Sequence, residues 1–230
     1  MDIWMPSDFP KDRYLRVEDH VSRFLSATSA GAVKGFSEYM GGWNALAFRF
    51  RAADVHGRAA LVWLERYQGS LSNDERYEEE CELFSFFANM VATVESCCFG
   101  IYHLGVIANK RHFSLPADGV TVRATATAIL GALPSSPMAT ALSKLTADPA
   151  WRKSNLIRNI LVHRESPGRT IFLSTGGSAP LPPAKWTSHN YALDSSLVSP
   201  DRSWLGATIQ ELVEAAEALV IAALPLAAKP

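Results

Sequence analysis

The chain has 230 residues, 22 Lys and Arg against 23 Asp and Glu, and an apolar content of 48%, which allows one large domain or two small ones. This balance excludes the global basic excess of a typical nucleic-acid binder, so any such role must rest on a local patch. Three cysteines, Cys81, Cys97 and Cys98, two of them adjacent, exclude a disulfide framework and any zinc spacing; no metal or other cofactor is expected.

Met1–Pro10 carries two acids and no basic run before an apolar core, so it is not read as a secretory signal, and a reducing cytoplasm is the simplest setting. From Asp12 to about Tyr39, Tyr14, Leu15, Val17, Val21, Phe24 and Leu25 recur at helical spacing, with a loosening across Ser26–Gly35. Gly41-Gly42 reads as a stop, and Asn44 as the N-cap of a helix running to about Tyr67. That helix would bury Leu46, Phe50, Ala53, Ala60, Leu61 and Leu64, with Gly57 as its weak point.

The longest helix follows, capped by Asn73 or Asp74. Glu75, Glu78, Glu79, Glu80 and Glu82 crowd its first turns, where carboxylates favour the positive end of the helix dipole and are expected to be solvated. It then turns apolar all round, as a central helix does, and fades at Asn109 before a basic exit, Lys110-Arg111-His112. Leu83–Ala108 is long enough to span a bilayer. Glu95 would sit near the bilayer centre at a cost of ~2.5–3.5 kcal/mol, so a buried helix of a soluble bundle is the better reading, with no membrane partner.

Val120–Leu133 reads as a helix, although its Val, Thr and Ile also allow strand. Pro134–Pro137 breaks it, and Met138–Thr146 forms a short helix. Asp148 and Pro149 then open a helix that ends by Ser166-Pro167-Gly168. Thr170–Ser174 and Trp186–Leu193 read as two short strands around a loop at Gly176–Pro183, and the last helix starts near Pro200-Asp201 and runs to about Leu224. The expected architecture is all-α: a single helical bundle over 1–230, with N-terminal helices in 1–72, a bundle core in 73–230, and a small irregular or β-hairpin insert before the last helix.

Asn155–Arg164 is the most informative stretch. At roughly 100° per residue, Leu156, Ile160, Ile157 and Leu161 share one arc, and Arg158, Asn159 and His163 fall on the other side with Val162 among them. Asn159 and His163 stack one turn apart. Lys144, Arg152, Lys153, Arg164 and Arg169 flank them against only Asp148 and Glu165, a local positive patch suited to a phosphate-bearing ligand. The plain alternative is the polar stripe of an ordinary amphipathic helix.

Arg158-Asn159-Ile160-Leu161-Val162-His163 resembles the Arg-Asn-x-x-x-His signature of the HEPN superfamily (higher eukaryotes and prokaryotes nucleotide-binding domains). The resemblance covers the motif closely and the helical frame from about Glu75 to Leu224 loosely. It implies an α-helical domain of a kind that includes metal-independent RNases, toxins of toxin–antitoxin pairs and other defence components. It further implies a homodimer in which two protomers bring their Arg/His motifs into one composite site, and a possible antitoxin protein as partner.

The chemistry fits those implications. Histidine titrates near neutral pH and can act as acid or base, and arginine can grip a phosphate through two parallel hydrogen bonds. Arg158 would neutralise the phosphate, His163 would move protons, and Asn159 would orient. Lys153, Arg152, Arg164 and Arg169 would hold the RNA backbone. Glu95, amid Val91, Val94, Cys98 and Phe99, is expected to be buried and paired, either supporting Arg158 or His163 or serving a structural ion pair.

His103 reads as a satisfied core or edge histidine rather than a ligand. Ser174-Thr175-Gly176-Gly177-Ser178 lacks the Lys and following helix of a phosphate loop, so it reads as a turn. Two function classes remain: a HEPN-like endoribonuclease, and a non-catalytic HEPN-like module that binds nucleotide, RNA or a partner protein. A purely structural helical protein, with Arg158 in an internal ion pair, is the third reading.

Overall fold

A computed structural model describes residues 5–27, 34–66, 71–108, 111–163, 168–170, 185–188 and 190–225, with only the backbone of Arg66, His163 and Lys185. Among the described residues the fold is all-α, with a small three-stranded insert before the last helix. The helices are α1 (Lys11–Ala27), α2 (Phe36–Arg66), α3 (Asn73–Ala108), α4 (Val122–Ala132), α5 (Pro137–Ala147), α6 (Pro149–His163) and α7 (Ser195–Ala223). The strands β1 (Gly168–Thr170), β2 (Lys185–Ser188) and β3 (Tyr191–Leu193) form one antiparallel sheet in the order β1-β2-β3. The expected stretch Trp186–Leu193 is thus two strands, and most of the expected strand at Thr170–Ser174 lies outside the described residues.

Side-chain caps explain several helix starts. Ser72, rather than Asn73 or Asp74, opens α3 through a reciprocal box: its hydroxyl accepts from Glu75 N (3.3 Å), and the Glu75 carboxylate accepts from Ser72 N and Oγ (both 2.8 Å). Those bonds hold the Glu75 carboxyl below its usual range. The Thr121 hydroxyl accepts from Ala124 N at 3.1 Å and decides for helix over strand in α4. Ser136 caps α5 in the same way, with Pro137 at its first position. Asp194 starts α7 five residues before the expected Pro200, its carboxylate accepting from Ser196 N (3.0 Å) and Oγ (2.5 Å). Pro200 therefore lies inside the helix, in its second turn, where it supplies no backbone N–H to the ladder.

The expected stop at Gly41-Gly42 is not there, since α2 runs straight through both residues. A Cβ on Gly42 would stand 2.8 Å from Gly100 N of α3, so the glycine marks a close helix–helix approach rather than a break. A Cβ on Gly57 would stand 2.6 Å from Arg202 Cδ, and its cost within α2 goes with seating that arginine stem.

Contacts divide the chain into two compact units. The first comprises Met1–Phe48, Ala92–Asp148 and Gly206–Pro230. Its core is aromatic: Tyr14 stacks on Trp43 at 5.1 Å between ring centroids, and Tyr39 lies 5.9 Å from the same indole. The Tyr14 hydroxyl donates to Trp43 O (3.2 Å) and Trp43 Nε1 donates back to Tyr14 O (3.4 Å), so both polar tips are satisfied inside. Burial raises the phenol pKa of Tyr14 and Tyr39.

The second unit comprises Arg49–Val91 and Pro149–Leu205. It buries Phe86, Phe87, Trp151, Ile157, Ile160 and Trp186, together with three carboxylates, Asp54, Glu79 and Asp201. By length and composition α3 could cross a membrane, but 72% of its most apolar window is buried inside the structure, as in the core helix of a soluble protein.

Candidate functional site

α6 carries the Arg158–His163 motif within one continuous helix. Its buried residues are Trp151, Ser154, Ile157 and Ile160, at steps of three, which turns the inward face away from the expected arc: Leu156 is 39% exposed. Arg158 follows buried Ser154 by one turn and is half-buried, so it lies at the edge of the inward face and not opposite it. Asn159 is half-buried, between Leu156 and Val162, which are both exposed. The His163 backbone closes the helix, and its side chain lies outside the described residues. Asn159 thus stands on a flank with two bare aliphatic neighbours, while Arg158 leans inward.

The flanking cations separate into distinct environments. Arg152 is exposed, and Arg164 lies outside the described residues. Lys153 reaches inward: its Nζ donates to Asp201 Oδ1 of α7 at 2.7 Å, and the Asp201 side chain is 2% exposed. The Ser154 hydroxyl is 3.5 Å from the other oxygen of the same carboxylate. Burial pushes the Asp201 carboxyl up, with the Lys153 ammonium opposing. Arg169 of β1 is buried, its Nε 3.3 Å from Glu79 Oε2. Both cations therefore serve as counter-ions inside their own unit, which takes Arg169 off the solvent surface. Lys144 pairs with Glu211 at 2.6 Å on an exposed surface of the first unit.

Glu95 departs from its expected setting. It is exposed on α3, while Val91, Val94, Cys97 and Cys98 are buried, so its carboxylate escapes the desolvation that demanded a buried partner. It adds to the burial that raises the Cys98 thiol pKa. His103 is 6% exposed, with its ring 4.6 Å from Phe99 and 5.5 Å from Tyr102, and burial lowers its pKa.

The second unit also holds a constellation that the sequence reading passed over. Glu79, in the middle of the acidic run, is fully buried against Arg169, and Trp186 of β2 is fully buried beside them. The Arg169 and Arg76 guanidinium carbons lie 5.8 and 5.7 Å from the Trp186 ring centroid. Burial pushes the Glu79 carboxyl up, against the pull of the Trp186 indole and the Arg169 guanidinium. Both Glu79 oxygens, Arg169 Nε and Nη2, Trp186 Nε1 and Ser188 Oγ lack a hydrogen-bond partner among the described residues.

A similar tie joins Asp54 to Arg58 (3.0 and 3.1 Å) and to Arg202 (2.5 Å). The signal for Glu79 was present in the sequence: it is four residues before Leu83 and seven before Phe86, on the stripe that the helix buries. Asp201 likewise lies three after Val198 and four before Leu205, both buried.

Among the described residues, no group of three or more His, Cys, Asp or Glu side chains converges as metal ligands would. Comparison with protein-family models, with curated proteins and with solved structures finds no match to this chain.

Proposed function

We propose that this chain is a HEPN-like, metal-independent endoribonuclease acting as a homodimer, with toxin or defence-component biology and a possible antitoxin partner. The observation that carries the reading is the Arg158-Asn159-x-x-x-His163 spacing on one continuous late helix of an all-α chain. In this reading Arg158 neutralises charge on the scissile phosphate, His163 moves protons between the 2′-hydroxyl and the leaving 5′-oxygen, and Asn159 orients the phosphate or the imidazole. A single chain supplies one motif histidine, so two-sided acid–base work calls on the second protomer. Exposed Leu156 and Val162, beside Asn159, support a protein surface meeting that face.

In this reading RNA contact falls to half-buried Arg158 and exposed Arg152, both already engaged within the protein, and to Arg164 beyond the described residues. Lys153 and Arg169 act as internal counter-ions. The test is RNA cleavage in EDTA by wild type and by His163→Ala. Cleavage by wild type that drops about 100-fold or more in the variant supports the site. No cleavage of any RNA by folded protein removes the nuclease reading, and equal cleavage by the variant removes the site. Saturable RNA or nucleotide binding without turnover identifies instead a non-catalytic module of the same type.

A further inference from the structure

The first unit contains a cavity of about 210 Å³ between the last turns of α3, α4 and α7 and the segment before α4. Leu104, Phe113, Leu219 and Val220 form its buried walls, and Leu133, 36% exposed, stands at its edge. Among the described residues, none that lines it carries a polar or charged side chain. The Phe113 ring packs directly on Gly105, where an added Cβ would stand 2.3 Å from it. What leaves the space open is alanine at Ala108, Ala132 and Ala223, on three different helices that face it. A longer aliphatic side chain at Ala132 or Ala223, each the last residue of its helix, would fill it without disturbing a helix interior.

We propose that this cavity is a binding site for the hydrocarbon part of a small molecule, either an alkyl chain or an aromatic ring with a short alkyl arm. Core voids of such size weaken a fold when nothing occupies them. Apolar cavities of about 150 Å³ stay dry and take up benzene, so this one accommodates a group of about eight carbons. The described lining, without hydrogen-bonding side chains, disfavours charged and sugar-like ligands, because polar groups against it would be buried unpaired. Any polar head of the ligand stays outside, at the Leu133 edge. The site lies in the first unit, whereas the α6 motif belongs to the second, and it rests on different residues from the nuclease reading.

The test is thermal unfolding of the full chain with benzene and with n-butylbenzene. Wild type is expected to melt several degrees higher as either probe approaches saturation, by mass action on the folded state. The Ala132→Leu/Ala223→Leu variant is expected to melt at or above ligand-free wild type and to lose that response. In wild type, nuclear Overhauser contacts are expected between n-butylbenzene protons and the methyls of Leu104 and Val220. No response of wild type to either probe overturns the proposal, as does an equal response in the filled variant. If the filled variant does not fold, a responsive wild type without those methyl contacts overturns it too.

Discussion

In the first unit Tyr14 and Trp43 lie stacked 5.1 Å apart with their polar tips bonded to each other's backbone, and in the second Glu79 faces Arg169 with 0% and 3% of their side chains exposed. The aromatic unit is held by shape, with rings, a Gly42–Gly100 contact and few buried ions. The other is threaded by carboxylates whose counter-ions come from distant segments: Asp54 with Arg202, Glu79 with Arg169, Asp201 with Lys153. Shape-packed cores tolerate rearrangement if volume is kept, whereas a buried ion needs one particular partner in one particular place. The lesson bears on function, because two of those counter-ions belong to the basic patch around the α6 motif. Local positive charge in the sequence is therefore not the same as positive charge offered to a phosphate.

The largest effect expected to sharpen this contrast is on Glu79. Glu79→Ala leaves Arg169 buried without its counter-charge and should cost about 3–5 kcal/mol, read as a fall in the urea midpoint. The double variant Glu79→Leu/Arg169→Met should recover most of it, since an apolar pair fills the same space without desolvated charge. A single variant as stable as wild type would break the ion-threaded picture of the second unit.

Next comes the glycine pair of the first unit. At Gly42 an added methyl meets Gly100 N and Phe99 Cδ1, both at 2.8 Å, so Gly42→Ala should destabilise by about 1–3 kcal/mol despite alanine's helix propensity. At Gly41 nothing stands within 4 Å of the added Cβ, and Gly41→Ala should stabilise by about 0.5–1 kcal/mol. Adjacent substitutions of opposite sign in thermal melts would locate the helix contact, and equal signs would remove it.

The smallest effect is a pH slope. Burial lowers the His103 pKa from 6.5, so the unfolded chain binds the proton more readily than the folded one. Stability from this group is full above about pH 6.5 and is lost as pH falls through the lower folded value. His103→Phe should flatten that acid-side decline in denaturant midpoints measured from pH 7.5 to 5. An unchanged slope would show that His103 is not its source.

Much of the architecture was legible from spacing. α6 follows from apolar recurrence at three and four residues, α3 from its acidic start and long apolar run, and α5 from the break at Pro134–Pro137, while Asp148-Pro149 marks the start of α6 within a residue. The α6 motif was legible because its residues are neighbours in sequence, so one helix alone determines their spacing. Helical phase was also enough, in principle, to turn Glu79 and Asp201 inward, although an acidic run at a helix start invites a solvated reading. The α6 inward face was legible only in part, since Leu156 is as apolar as Ile157 and only the neighbouring elements decide which of them is covered.

By itself, then, the sequence determined the all-α class, most helix positions and the Arg158-Asn159-x-x-x-His163 spacing, because these rest on interactions within a few residues along the chain. Tertiary structure alone decided that α2 passes through Gly41-Gly42, that Glu95 is exposed and Arg169 buried, and that Lys153 answers Asp201. Each of these depends on what an approaching segment, far away in sequence, supplies: a glycine that permits contact, or a charge that makes burial tolerable.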